Sequence, residues 1–503
     1  DLGPGIYIVS EEQKQPWVPM TPTSEQVVMT SGATVRIHDF LNFAPGSICG
    51  YKYEDVNSNG VYDPGIDKAI EGWKISMIED ALPDVYVTYT NSDGYWCFDD
   101  LKADYYLVWE ETRPHWTAES ATWAQVTITS GLDYEVAPFL NFHNVCIPIF
   151  KYNDVNGDGI YEEGLDVPLP DWSFTVTGPG VPGGSVTVLT DQNGRAHVEV
   201  NSAGTYTVTE ADVAGWTHTT PASASVDVIS GDKLSPLRFG NFQLGRVDGF
   251  KSYDWNLNGN RDLGEVGLQN WVIVLQGVLV GGGSYLQTRL TDSTGYYEFT
   301  DLPAGAYQVS EVIGLPGWVP TSPPSVGFGV YSGTSQSVTF NNAVFGIIEG
   351  YKFYDKDMNG VRDGGEPGLA GWTIHLDGAT DHGVPVHMTT TTDGSGHYSF
   401  TVQPGRYSVT EELPGSEWQP TTPSPQVVDT SGALQTFDQT VNIGNVRFAT
   451  IWGYKFLDTY CQSYPFWPNG IFDLNEVGIG NWRITLQGYT DTGVRVDLET
   501  FTD

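Results

Sequence analysis

Basic residues are scarce in this chain: 23 Lys and Arg stand against 62 Asp and Glu, for a formal charge of −39. That deficit excludes nucleic-acid backbones as partners, because phosphate contacts depend on Lys and Arg displacing counterions. It leaves room for bound cations. Cysteine is sparse too. Cys49, Cys97, Cys146 and Cys461 are too few for a disulfide framework over 503 residues. A pair among the first three and scattered buried thiols both fit the spacing. No apolar run reaches the ~18–20 residues of a membrane span, so membrane insertion is not expected. No signal-peptide pattern opens the sequence, so a secreted chain is expected in its mature form. Convincing helix-length periodicity is absent, and the nine His do not recur in register.

What is present is repetition. Hydrophobic residues make up 40% and aromatics 13% of the chain, enough for packed cores. Its 59 Gly and 30 Pro fall between short β-branched and aromatic runs, as in a β-rich protein dense in turns. GYKFYDKDMNGVRDGGEPGLAGW ends at Trp372, and related stretches end at Trp73, Trp172, Trp271 and, more loosely, Trp482. Successive spacings are 99, 99, 101 and 110 residues. A period of about a hundred residues marks a tandem array of domains.

After each Trp come an apolar strand, a Thr-rich strand with an Asp/Gly turn, a strand such as YSVTEE (407–412), and a last pair ending in Asn-Phe or Gly-Asn. Short alternating strands at regular spacing predict an all-β tandem array of β-sandwich domains. The divisions are 47–144, 145–245, 246–345 and 346–448 for four whole repeats. Residues 1–46 read as the C-terminal half of a sandwich and 449–503 as the N-terminal half. The two are complementary except for the equivalent of STGYYEFT (293–300). Two accounts fit: the halves of successive copies complete each other head to tail, or the sequence is a window of a longer repetitive polypeptide.

The stretch before each Trp carries oxygen ligands on a fixed schedule. Repeat four places Asp355, Asp357, Asn359, Val361, Asp363 and Glu366 at positions 1, 3, 5, 7, 9 and 12, with Gly360 at 6. Short acids and amides on alternate residues, a main-chain carbonyl at 7 and a closing acid suit calcium, whereas zinc would call for Cys or His. Repeat three offers Asp254, Asn256, Asn258, Asn260, Asp262 and Glu265. Repeat one offers Asp55, Asn57, Asn59, Val61 and Asp63; repeat two offers Asp154, Asn156, Asp158, Ile160 and Glu162. Their closing acids, Asp67 and Asp166, come one residue late. The fifth copy keeps Asp458, Asn469, Asp473 and Glu476 around an insertion. An Asx-rich turn bonding its own backbone is the simpler alternative, but four copies favour calcium in a structural role.

A lysine precedes every loop inside an aromatic strand: Lys52, Lys151, Lys251, Lys352 and Lys455. Each Tyr-x-Val-x-Glu-like strand delivers an acid: Glu11, Glu110, Glu210, Glu311 and Glu411. Final strands deliver amides: Asn42, Asn141, Asn241, Asn341 or Asn342, and Asn442 or Asn445. Burial would lower the Lys pKa and raise that of Glu, so the amine could attack the Asn amide and form an intramolecular isopeptide bond. A plain Lys–Glu ion pair with its stem on aromatics is the competing reading. Lys455 lacks later partners, and Glu11 with Asn42 lacks an earlier Lys, so copies meeting end to end would pair them.

The combined motif, [YF]K[YF]xDxNxNGxxDxGExGLxGW followed by T-T-D-x-x-G-x-Y-x-F, L-P-x-G-x-Y-x-V-x-E and G-N-F, resembles the B-type domains of serine–aspartate repeat surface proteins. It is also similar to collagen-adhesin B-type and pilin domains. The resemblance implies prealbumin-like or immunoglobulin-like sandwiches on secreted, surface-displayed stalks and fibres. It implies calcium at the loops for the first relatives and isopeptide bonds for the second. No serine–aspartate tail, sorting signal or separate ligand-binding head accompanies it in this sequence. The expectation is a non-enzymatic, extracellular structural protein whose partners are copies of itself. The alternative is the stalk of a cell-surface adhesin.

Overall fold

The computed structural model describes residues 1–80, 84–458, 470–472, 476–490 and 493–503. Strands dominate, and the only helical turn among the described residues is a 3-10 turn at Pro182–Gly184. No helix there is long and apolar enough to cross a membrane.

Alternation along the chain builds each strand. In Gly46–Glu54, Ile48 and Lys52 point inward while Ser47, Cys49 and Tyr51 lie at the surface side. This strand pairs antiparallel with Tyr95–Leu101 and runs parallel to Asp133–Glu135 and Phe139–His143. Facing it is an antiparallel sheet ordered Trp123–Thr127, Tyr105–Glu110, Lys74–Glu79, Val85–Tyr89. Ile48, Trp73, Ile75, Met77, Trp96 and Val108 fill the space between. The same two-layer plan recurs around the first strands Val145–Asn153, Gly245–Tyr253 and Gly346–Tyr354, giving units two to four. The fold is a tandem array of β-sandwiches. Because first and last strands run side by side, the plan brings the lysine and amide strands together.

Cys49 and Cys97 sit directly opposite each other in unit one and form a disulfide. Cys146 is free and exposed. Cys461 lies outside the described residues.

At the two ends only small sheets form. Gly5–Ser10 pairs with Ser24–Met29, and Arg483–Tyr489 pairs with Arg495–Phe501. Their inward faces are open. Trp482 is 52% exposed where Trp73 is 0%, and Ile484 is 43% exposed where Ile75 is 0%.

Consecutive units are joined through their cores and backbones. Phe43, Phe142 and Phe242, each just after a final-strand Asn, pack into the core of the following unit. A Ser-Gly turn of that following unit clamps the next residue. His143 donates its N–H to Ser230 Oγ (2.7 Å) and accepts from Gly231 N–H (3.0 Å). Gln243 does the same with Ser332 (2.8 Å) and Gly333 (2.8 Å), and Ala44 with Ser130 (2.9 Å) and Gly131 (2.8 Å).

Candidate metal loops and buried lysine triads

Two left-handed residues bend each acidic loop. In unit one they are Ser58 (φ 54°) and Gly60 (φ 73°); in unit four, Met358 (φ 58°) and Gly360 (φ 74°). The first Asp is fully buried in all four loops. Its carboxylate accepts the N–H of the position-6 glycine: Gly60 (2.8 Å), Gly159 (2.7 Å), Gly259 (2.7 Å) and Gly360 (2.8 Å). Asn57 and Asn59 both donate to Asp63, and Asn256 and Asn258 to Asp262. Asn156 donates to Asp158 and Glu162.

The closing acid arrives by two routes. Glu366 accepts the N–H groups of Lys356 (2.8 Å) and Asp363 (3.0 Å). Asp67 accepts those of Val56 (3.0 Å) and Asp63 (2.8 Å), and Asp166 those of Val155 (2.9 Å) and Glu162 (2.8 Å). A side chain one methylene shorter, placed one residue later, reaches the same two positions. The lateness of Asp67 and Asp166 is therefore compensated. Glu265 accepts from Asp262 N–H in the same manner (2.9 Å).

The donor set fits a hard divalent cation. Carboxylate oxygens of Asp355, Asp357 and Glu366 lie within 4.8 Å of one another. Asn57 Oδ1 and Glu265 Oε1 are buried without a hydrogen-bond partner, a costly state that a cation would relieve. Val61, Ile160 and Val361 stand exposed at the loop tips, and Asn260 takes the same place in unit three. In the fifth copy Asp458 accepts Gly470 N–H (2.6 Å) and Glu476 is buried. Asn469 and Asp473 lie outside the described residues.

The loops of units one to three are tied to the following unit through their second residue. The carbonyl of Val56 accepts Ser230 N–H (3.1 Å), and that of Val155 accepts Ser332 N–H (3.0 Å). Trp255 O accepts Gln403 Nε2 (3.3 Å), with His382 stacked on its ring at 5.0 Å.

The lysines are wholly buried and paired. Nζ lies 3.2 Å from Glu110 for Lys52, 3.5 Å from Glu210 for Lys151, 3.2 Å from Glu311 for Lys251 and 3.3 Å from Glu411 for Lys352. Each ammonium also lies 4.5–4.9 Å above the motif tryptophan, Trp73, Trp172, Trp271 or Trp372. It donates to a final-strand carbonyl: Phe139, Phe239, Phe340 or Ile443. Burial pulls all four lysines down to about 8. It pushes Glu110, Glu311 and Glu411 upward, against the pull of the lysine.

The amide two residues beyond that carbonyl completes each triad. Asn241 donates to Glu210, and Asn141 holds the same buried strand position in unit one. In units three and four the partners are Asn342 (3.0 Å to Glu311) and Asn445 (2.9 Å to Glu411), which rules out the candidates Asn341 and Asn442. Asn341 is one step out of phase on its strand, so it meets Ser252 and Gly259 instead. Asn442 precedes the strand and caps Tyr351 N–H. The lysine-to-amide separation drifts along the chain: Asn141 and Asn241 lie 89 and 90 residues after their lysines, Asn342 and Asn445 91 and 93. The carbonyl of each triad Asn accepts the N–H of the first loop Asp, at 2.8–2.9 Å, so triad and loop share one joint. At the ends, Asn42 reaches Glu11 (2.9 Å) without a lysine, and Lys455 covers Trp482 at 5.1 Å.

A buried threonine went unread in the sequence. Thr90, Thr190, Thr291 and Thr392 each accept the motif Trp N–H and donate to the carbonyl three residues before that Trp. Its signal was the Thr that opens every Thr-Asp or Thr-Asn turn.

Fold and site together define a string of β-sandwich modules with an oxygen-lined loop and a buried Lys–Glu–Asn cluster in each complete unit. Residues 248–327 and 347–446, in units three and four, match the SdrD B-like domain family. The chain is 26% identical over 501 residues to serine-aspartate repeat-containing protein D of Staphylococcus aureus strain MW2, covering 87% of this chain and 35% of that protein. It is 29% identical to serine-aspartate repeat-containing protein F of Staphylococcus epidermidis, covering 60% of this chain and 20% of that protein. The chain thus spans about a third or less of these relatives. Among solved structures it is similar to the Bacillus anthracis TIE protein (15% identity, 75% and 69% coverage, TM-score 0.28). The shaft pilin SpaA of Lactobacillus rhamnosus GG is another (10% identity, 41% and 99% coverage, TM-score 0.18).

Proposed function

We propose that this chain is a structural, non-enzymatic segment of an extracellular filament or surface fibre, stiffened by calcium in its acidic loops. The observation that carries this reading is the coupling of loop to junction. The residue next to the first loop Asp holds the following unit at Val56, Val155 and Trp255. A cation that orders the loop therefore also orders the link, and no other role for so regular an array is needed. Trp482 and Ile484 are exposed apolar residues, and we assign this face to a head-to-tail contact with a second copy. Sedimentation and electron microscopy of the purified chain test this. Concentration-dependent filaments are expected; a strict monomer would instead favour the stalk of a longer adhesin. The small share of the serine–aspartate repeat relatives that the chain covers favours that second reading.

Within each complete unit the triad is set for isopeptide formation. The neutral Lys amine attacks the Asn Cγ, the new C–N bond replaces the amide C–N bond, and ammonia leaves with the proton relayed by Glu. Intact mass should fall by about 17 Da for each bond formed. A mass equal to the sequence mass would leave four ion pairs.

A further inference from the structure

Unit two lacks a strand that the other units have. Asp133–Glu135, Ser335–Ser337 and Asp438–Thr440 each run parallel to the start of the first strand in units one, three and four. There the N–H of Ser47, Arg246 and Ile347 is received by Leu132, Thr334 and Phe437. In unit two, Pro148 and Pro236 occupy this region, and residues 232–236 form no strand. A groove of about 490 Å³ lies in its place.

Two arginines, Arg195 and Arg238, line the groove against one carboxylate, Glu163, on an otherwise acidic protein. Arg195 and Arg238 flank Phe150 as its direct neighbours on the two adjoining strands, and His197 lies opposite Pro148. Arg238 also lies over the Tyr161 ring at 5.0 Å. Neither arginine is ion-paired among the described residues. Elsewhere the corresponding face neutralises itself: Arg246 meets Asp248 (2.9 Å) and Glu298 (3.4 Å) in unit three, and His397 meets Glu349 (3.1 Å) in unit four. In unit one the disulfide occupies it.

We propose that this groove of unit two binds an extended acidic peptide, which adds beside residues 145–148 as the missing strand. Main-chain pairing with the open edge supplies affinity, and carboxylates opposite Arg195, His197 and Arg238 supply selectivity. Apolar side chains between them would lie on Phe150 and Tyr161.

The test is selection from a random-peptide display library against the immobilised full chain carrying Cys461→Ser, so that Cys146 is its one free thiol. Acidic sequences with alternating apolar residues should be enriched. A synthetic peptide made from that consensus should protect Cys146 from maleimide. It should bind at least about tenfold more weakly to the Arg195→Glu/Arg238→Glu variant. Both arginines are exposed, and unchanged hydrogen exchange in Ser173–Thr177 verifies that the variant is folded. Selection without an acidic consensus overturns the proposal. So does a peptide that leaves Cys146 labelling and the variant's affinity unaltered, or binding confined to sulfated glycan.

Discussion

Replacing Glu411 with alanine should destabilise unit four by about 3–5 kcal/mol, because it strands the ammonium of Lys352 in a site that water does not reach. The pair itself contributes less than that figure suggests. Burying two charges is expensive, and burial already holds Lys352 down to about 8 and pushes Glu411 up. The double variant Lys352→Met/Glu411→Leu should therefore lie within about 1–2 kcal/mol of the parent. Hydrogen exchange in Thr373–Thr380, the strand that pairs with the Glu411 strand, reads this unit alone. The same lysine fixes a pH dependence. Its ordinary value is 10.5, so between pH 8 and 10.5 the unfolded chain holds a proton that the folded chain has released. Stability should rise with pH across that window, and the contribution is lost as pH falls back towards 8. Buried Tyr407, pushed up to about 12, acts in the opposite direction from pH 10 upward, since the unfolded chain ionises first. Denaturant midpoints at pH 7, 9, 10 and 11 should thus peak near 10. A lysine consumed in an isopeptide bond no longer titrates, and its share of the rise disappears.

Trp372→Ala is the second large effect, expected to cost about 3–5 kcal/mol. The ring closes the lysine site at 4.5 Å and meets Trp418 edge-on at 5.2 Å, and its backbone N–H is fixed by Thr392. Losing it opens a cavity directly above a charge. Unfolding followed by calorimetry should show one transition shifted down while units one to three keep theirs. A uniform shift would mean that the units do not melt separately.

Much of this architecture was legible because each function repeats. Four copies of an alternating Asp/Asn schedule identified the loops, and the Tyr-x-Val-x-Glu alternation gave both the sandwich and the inward-facing acids. The structure brings those acids to the lysines as expected. Legibility failed where phase along a strand decides the outcome. Asn341 and Asn342 are adjacent in sequence but face opposite ways, and only pairing with Ser252 and Tyr253 sorts them. The junctions were hidden for another reason. The carbonyls of Val56 and Val155 belong to residues whose side chains carry no signal. The missing strand of unit two depends on two prolines about 90 residues apart.

Limited proteolysis with mass detection, in millimolar calcium and after chelation, tests the central claim most directly. Chelation should open new cleavage within the loops around Asp55, Asp154, Asp254 and Asp355, and then at the junctions that Val56, Val155 and Trp255 hold. Identical fragments at identical rates with and without calcium would contradict it.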